Sequence, residues 1–381
     1  MDFNLTEEQR LIRQTAAKFA KNEIEPSIAE YYQAKRFPYD LIHKMGKLGL
    51  MGISFPPEYG GSTTDFLSYL IALEEISTVD AVLGNIMHVS ISLGGHSIYM
   101  FGSEEQKRKW LIPIARGEKL GSFGLTEPNV GSDAGSTQTH AKLDGDSWVI
   151  NGSKNFISNS GTDITIGTVI TAVTDVVDGK NRISAIFVPK DTAGFTIGPN
   201  LDKIGWNHAD TRNLYFQDVR VPKENLIGTR GEGFKQFLNV LNIARITVGV
   251  TALGLAQQCL NESLKYSKER TQFGQPISKF QLIQAKLADM ATEIEAARQL
   301  MHYTAWRVEN GKRYVKEASM FKYFVSEVGR RAANEAVQIH GGYGYMMEYP
   351  VARAFRNYKV MEIGEGTSEV QKLIIARELG C

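Results

Sequence analysis

Ser278-Lys279-Phe280-Gln281-Leu282-Ile283-Gln284-Ala285-Lys286-Leu287-Ala288-Asp289-Met290 opens a run in which Phe280, Ile283, Leu287, Met290, Ile294, Ala297 and Met301 alternate spacings of three and four. That period is helical. With Ser278 as the expected N-cap and Gly311 as the stop, the run predicts one helix of about eight turns at roughly 3.6 residues per turn. A helix of that length with one apolar stripe suits a bundle, where each helix hides its stripe against neighbours. The methionines of the stripe then read as core, not as ligands.

Outward from this run the pattern changes twice. The helical period already holds from Phe234 and continues towards the C-terminus. Between about Lys119 and Arg230 the period falls to two and turn signals multiply. Asp144-Gly145 and Asn151-Gly152 flank Trp148-Val149-Ile150 and predict tight hairpin turns. Ile183–Val188 and Leu214–Val221 are β-branched, apolar and closed by Pro189 and Pro222. The first third is helical again. Thr6-Glu7-Glu8-Gln9 is a capping box, followed by Leu11, Ala16, Phe19 and Ala20 on a helical period, with Pro26, Pro38 and Phe55-Pro56-Pro57 as punctuation. The expected architecture is α+β: an N-terminal helical domain (1–118), a middle antiparallel sheet or small barrel (119–230) and a C-terminal helical bundle (231–381).

Composition narrows the function classes. The 381 residues carry 43 basic and 42 acidic groups without a long single-sign run, which argues against nucleic acid or a membrane surface as the main partner. No stretch reads as a membrane span and no basic-then-apolar leader precedes Leu5. Two cysteines, Cys259 and Cys381, are too few for a disulfide framework and fit a reducing compartment, with Cys259 expected in the core. The expected location is cytoplasmic, a mature organellar protein reading the same way. The seven histidines lack metal-ligand spacing, so no metal is expected.

The chemistry concentrates in Met361-Glu362-Ile363-Gly364-Glu365-Gly366-Thr367-Ser368-Glu369. Glycines on either side of Glu365 let the backbone bend and leave room for a ligand, while Thr367 or Ser368 can cap the helix that follows. Taken alone, the pattern reads first as a solvated loop glutamate, because charged loop residues are mostly exposed. Four other stretches change that balance: Leu125-Thr126-Glu127-Pro128-Asn129-Val130-Gly131-Ser132, Asn151-Gly152-Ser153-Lys154-Asn155-Phe156-Ile157-Ser158, Arg270-Thr271-Gln272-Phe273-Gly274 and Gln338-Ile339-His340-Gly341-Gly342-Tyr343-Gly344. The last is no dinucleotide fingerprint, because it follows a helical pattern and not a strand.

In this order, across essentially the whole chain, the five motifs resemble the acyl-CoA dehydrogenases. The resemblance implies a four-helix C-terminal bundle, FAD as cofactor and an acyl-CoA thioester as substrate. It implies that Phe123, Leu125, Thr126, Gly131 and Ser132 hold the flavin ring, Ser132 also facing the CoA, and that Phe156, Ile157 and Ser158 pack against the ring. Phe156 stands where the family often has Trp, which keeps a stacking face and removes an N–H. Arg270, Phe273, Gln281, Gln338, Gly341, Gly342, Thr367 and Glu369 are carried over as further FAD contacts. Those to the adenosine diphosphate half cross a subunit interface, which implies a homotetramer built as a dimer of dimers. Asn242, Arg245 and Gly366 are carried over as substrate contacts. Electron-transferring flavoprotein is the implied electron acceptor.

The resemblance also implies the reaction. Glu365 removes the α-proton, the enolate oxygen is held by a backbone N–H and a flavin hydroxyl, and the β-hydrogen leaves as hydride to flavin N5. Relatives that place the base on another helix do so at the position of Ala244, which cannot serve. Gly84 stands where glutaryl-CoA enzymes carry an arginine, which argues against a dicarboxylic substrate. A short straight acyl chain is the first expectation. Gly364, in place of the usual Tyr, and Gly94-Gly95 suggest a wider pocket and a branched or alicyclic group as the second, although Met87, His88 or Phe237 can fill such space. An acyl-CoA oxidase and a non-enzymatic scaffold of the same fold are the other readings.

Overall fold

The computed structural model describes residues 4–62 and 65–381; Met1-Asp2-Phe3, where the N-terminal reading begins, lie outside the described residues. Helix α1 (Glu7–Phe19) opens with the expected capping box: Thr6 Oγ1 accepts from the Gln9 N–H at 3.2 Å and Gln9 Oε1 accepts from the Thr6 N–H at 3.0 Å. Two further helices matter for the site. Helix α2 (Phe66–Val79) is capped by Asp65, and α3 (Ala81–His88) by Asp80, whose Oδ1 accepts from the Leu83 N–H at 2.7 Å. Immediately after His88 the helix widens into a π-turn over Val89–Gly95. Such widenings accompany functional sites often enough to mark this junction.

The middle of the chain forms an eight-stranded sheet: β1 (Leu120–Gly124), β2 (His140–Asp144), β3 (Ser147–Ser158), β4 (Thr165–Val177), β5 (Lys180–Pro189), β6 (Phe195–Ile197), β7 (Thr211–Pro222) and β8 (Leu226–Ile227). Its order is β6-β7-β3-β2-β4-β5-β8, with β1 also paired to β4. Most pairings are antiparallel, as the hairpin signals imply, but β1 and β2 run parallel to β4, so the sheet is mixed. Asp144-Gly145 does turn the chain from β2 into β3, with Gly145 at φ +57°. Asn151-Gly152 does not turn it. Gly152, at φ +144°, marks a bulge inside β3, where a Cβ would meet Thr139 Oγ1 at 2.5 Å.

Alternation along the strands sorts side chains into two cores. Ile170, Ala172, Ile186, Val188, Leu214 and Val219 pack between the curled faces of the sheet, whereas Val169, Ala185 and Phe187 face the helices. Trp110 stacks on Phe187 with ring centres 4.0 Å apart. The helical core is continuous from α1 to the C-terminal bundle.

That bundle consists of α4 (Gly233–Glu269), α5 (Gln281–Glu309), α6 (Val315–His340) and, after a shorter helix, α7 (Ser368–Leu379). Helix α5 has the predicted eight turns, but Phe280 occupies its N-cap and Ser278 lies in the preceding tight turn. Helix α4 is long and apolar enough to span a membrane, contrary to the sequence reading; 83 % of its most apolar window is buried inside the protein. Small residues let it pack closely, with Gly249 against Phe321 and Gly254 against Ser77. Cys259 is buried there, as expected.

Candidate active site

Glu365 lies in the loop between Glu362 and α7, and its backbone takes the left-handed conformation, φ +57°, followed by Gly366 at φ +92°. A non-glycine residue in that region is held there by its surroundings. Lys322 Nζ on α6 donates to Gly366 O at 2.9 Å, and Gln371 Nε2 donates to Gly366 O at 2.9 Å and to Glu365 O at 3.2 Å. Thr367 Oγ1 accepts from the Val370 N–H at 3.3 Å and starts α7. The loop is therefore tied from α6 on one side and from its own helix on the other.

The Glu365 carboxylate points inward, to the end of α3. Its Oε1 is hydrogen-bonded to His88 Nε2, while Oε2 is buried without a partner. His88 is fully buried, and its Nδ1 meets Thr247 Oγ1 of α4 at 2.7 Å. Three further groups feel the carboxylate. Arg245 donates to Asn242 Oδ1 at 2.7 Å, and burial pushes its guanidinium down against the pull of Glu365. Burial likewise pushes the Lys322 ammonium down to about 8, again opposed by Glu365. Tyr69 is buried beside Ser92 Oγ at 2.8 Å, and burial, more than the charge of Glu365, raises its phenol.

The structure thus brings Asn242, Arg245, Gly366 and Glu365 together. Ala244, on the same helix, is buried with no acid–base capacity. At Gly84 a Cβ would stand 2.1 Å from Ser77 Oγ and 3.2 Å from its Cβ, so a side chain enters only if Ser77 gives way. Gly94 and Gly95 do not widen an acyl pocket. A Cβ on the first would meet Gly121 of β1 at 2.7 Å, and on the second Phe55 Cζ at 2.7 Å; both are close-packing positions. Gly364 is different, since a Cβ there meets only Val360 O at 3.4 Å.

The loop after β1 is supported from below by a buried ion pair the sequence reading left unused. Lys154 Nζ reaches Glu127 Oε1 at 2.6 Å, Thr171 Oγ1 at 2.9 Å and Leu125 O at 3.2 Å. Glu127 also accepts from the Gln138 and Thr139 N–H groups at 2.7 and 3.1 Å. Burial would raise the Glu127 carboxyl, but the Lys154 ammonium and those N–H groups hold it below the usual range. Burial pushes Lys154 itself down to about 8. The pair joins the Leu125–Glu127 loop to β3, as does the Asn155 N–H donating to Thr126 O at 2.8 Å. Next along β3, Phe156 is exposed at φ +62°, above buried Ile157 and half-buried Ser158. Phe123 is buried within β1, stacked on Phe237 at 4.0 Å, and Gly131 and Ser132 lie exposed at the end of the loop.

The remaining predicted residues gather elsewhere. A cleft of about 560 Å³ is lined by Tyr266, Arg270, Gln272, Ile277, Gly341 and Gly342. Arg270 stands 5.5 Å over the Tyr343 ring. Gly341 has φ +60°, and a Cβ on Gly341 or Gly342 would meet nothing of this chain within 4 Å. Gln281, Gln338 and Phe273 are exposed around this region, and Glu369 is exposed on the first turn of α7. Among the described residues no group of three or more His, Cys, Asp or Glu has the arrangement of a metal site.

Comparison with known proteins gives this arrangement a lineage. The descriptions of the acyl-CoA dehydrogenase N-terminal, middle and C-terminal domains match residues 6–118, 122–219 and 231–380. A probable acyl-CoA dehydrogenase of Bacillus subtilis is 52 % identical over 380 residues, covering 100 % of both chains. A chain from structural work on the electron transferring flavoprotein of Acidaminococcus fermentans is 47 % identical, covers 100 % of this chain and 99 % of its own, and superposes with a TM-score of 0.96. Butyryl-CoA dehydrogenase of Megasphaera elsdenii is 42 % identical over 100 % of both chains, also with a TM-score of 0.96. With three domain descriptions matched in order over nearly its full length, the chain belongs to the acyl-CoA dehydrogenase family.

Proposed function

We propose that this protein dehydrogenates a short-chain acyl-CoA between its α and β carbons, with Glu365 as the α-proton acceptor. The observation that carries this reading is the geometry of the carboxylate: one oxygen is held and the other, buried and unpartnered, is left for substrate. A thioester α-hydrogen is a weak acid, so a fixed base in a dry pocket and a donor to the enolate oxygen are both needed. The Glu365 N–H, fixed by the strained loop, is the donor we assign. Asn242 and Arg245 are assigned to the CoA side, with Ser132.

FAD is the cofactor of this family, and the residues present fit it. Leu125, Thr126, Gly131, Ser132, Phe156, Ile157 and Ser158 would hold its ring, and Arg270, Phe273, Gln281, Gln338, Gly341 and Gly342 its diphosphate half, with Thr367 and Glu369 beside them. Fit is supported by the open space at Gly341 and Gly342 beside Arg270, and by an aromatic ring presented outward from a left-handed residue at Phe156. When bound, FAD supplies the hydride acceptor. We read the assembly as a homotetramer, dimer of dimers, because the diphosphate residues stand exposed around Phe273, 93 % exposed, and Leu282, 80 % exposed. Electron-transferring flavoprotein is the acceptor we assign, consistent with the Acidaminococcus relative.

The short chain follows the butyryl-CoA relative. A branched or alicyclic acyl group is the second reading, supported by the open position at Gly364. Anaerobic bleaching of the flavin band by butyryl-, octanoyl-, isobutyryl- and cyclohexanecarboxyl-CoA separates these readings. Fastest bleaching by butyryl-CoA is expected, and absence of bleaching by every thioester in the FAD-loaded protein would overturn the proposal.

A further inference from the structure

The hydrogen-bond chain behind Glu365 has an internal proton count. A basic Glu365 requires the imidazole N–H on Nε2, so Nδ1 accepts from Thr247 Oγ1 at 2.7 Å, a nearer partner for that hydroxyl than Ala244 O at 3.1 Å. The Nε2–H then donates to Glu365 Oε1, and no further proton is needed between the two atoms. His88 is fully buried at the end of α3, where the π-turn begins, and is not free to reorient towards solvent. The His88 N–H is thus held at Oε1. Oε2 is the carboxylate oxygen left to accept the substrate proton.

We propose that His88 is a positioning residue for proton abstraction: anchored by Thr247, it holds Glu365 Oε1 so that Oε2 alone faces the substrate α-carbon. This rests on the reading of Glu365 as the base. When the α-C–H bond breaks, its electron pair stays on the substrate as the enolate and the proton passes to Oε2. The pair lies within a surround made of Tyr69 of α2, His96 beyond the π-turn, Arg245 of α4 and Lys322 of α6. Loss of the anchor frees the carboxylate to rotate, and misplacement of a reacting group by an ångström costs on the order of 100-fold in rate.

The test uses the FAD-loaded enzyme with butyryl-CoA and four variants. His88→Leu removes the donor, His88→Gln keeps an N–H at the place of Nε2 without a titrating ring, Thr247→Val removes the anchor, and Glu365→Gln removes the base. His88→Leu is expected to lower kcat by about 10- to 100-fold with KM little changed. His88→Gln should recover most of that loss while moving the acid limb of the kcat/KM profile, a change that a packing role would not produce. Thr247→Val should lie between wild type and His88→Leu, and serves if His88→Leu fails to fold or to retain flavin. A crystal structure of His88→Leu should show Glu365 in more than one orientation, a readout independent of turnover. Wild-type rates and an unmoved acid limb in the His88 variants, with Glu365→Gln inactive, would overturn the proposal alone, as would an effect confined to KM. Undiminished flavin reduction in Glu365→Gln would overturn the underlying reading.

Discussion

The surroundings of Glu365 and the cleft at Arg270 are built to opposite rules. Around Glu365 one chain supplies nearly everything: α3 gives His88, α4 gives Thr247 and Arg245, α6 gives Lys322, and α7 gives Gln371. Around Arg270 the same chain leaves Phe273, Gln281 and Gln338 exposed and leaves open space beside Gly341 and Gly342. On the proposed assignments, proton chemistry is thus internal to one chain, whereas retention of the nucleotide end of a cofactor depends on what covers the cleft. The difference predicts that the two can be broken separately. Glu365→Gln should lose about 10²- to 10⁴-fold in flavin reduction while keeping oligomer size and flavin content, as checked by stopped-flow and sedimentation.

The converse is a surface change. Phe273→Asp, at an exposed ring with φ +53°, should shift sedimentation towards smaller species. It should also weaken flavin retention about 10- to 100-fold, as expected for losing one hot-spot aromatic. The protein should keep its helical circular dichroism, because Phe273 contributes nothing to the core. An unchanged oligomer that still loses flavin would assign Phe273 to the cofactor alone and not to the interface.

The Leu125–Ser132 loop, proposed to hold the flavin, stands between these extremes, exposed above and buried below. Lys154→Met leaves the Glu127 carboxylate buried without its cation, and breaking such a pair costs about 3–5 kcal/mol. The companion Lys154→Met/Glu127→Gln should recover most of that in urea unfolding, since the amide oxygen can still accept from the Gln138 and Thr139 N–H groups. If the double variant is no better than the single one, the pair holds the loop through geometry and not through charge balance.

What was legible in the sequence follows the same division. Period and turn chemistry gave the three layers, and the length of α5, because amphipathic stripes and tight turns are local. Asn151-Gly152 misread as a turn because a bulge uses the same dihedral freedom, and only the pairing with β7 distinguishes them. Gly94-Gly95 misread as pocket because a glycine that admits a neighbouring strand looks, in one dimension, like a glycine that admits a ligand. Family motifs nominate Glu365, Arg245 and Arg270 for the roles proposed, but His88, Thr247, Lys322 and the Lys154–Glu127 pair lie outside the catalytic reading or under it. One signal was available: Lys322 interrupts an apolar stripe of Ala318, Phe321 and Val325, and a lysine in such a stripe needs a buried partner. His88 gave none, since its partner is 277 positions away.

Lys322 supplies the smallest and most specific prediction. Burial lowers its ammonium from 10.5 to about 8, against the attraction of Glu365. In the unfolded chain the lysine returns to its ordinary value. Between about pH 8 and 10.5 the unfolded state therefore binds the extra proton, so the stability contributed at this position rises with pH across that window. Below about 8 both states are protonated and the burial penalty is complete and constant. The Tm of wild type minus that of Lys322→Met should accordingly be flat below about pH 8 and climb by a few degrees above it. The lost hydrogen bond to Gly366 O adds only a constant offset, because a neutral amine still donates. A difference that instead falls above pH 8 would mean that Glu365 stabilises the ammonium more than burial disfavours it, and the charge balance of the internal site would have to be redrawn around that pair.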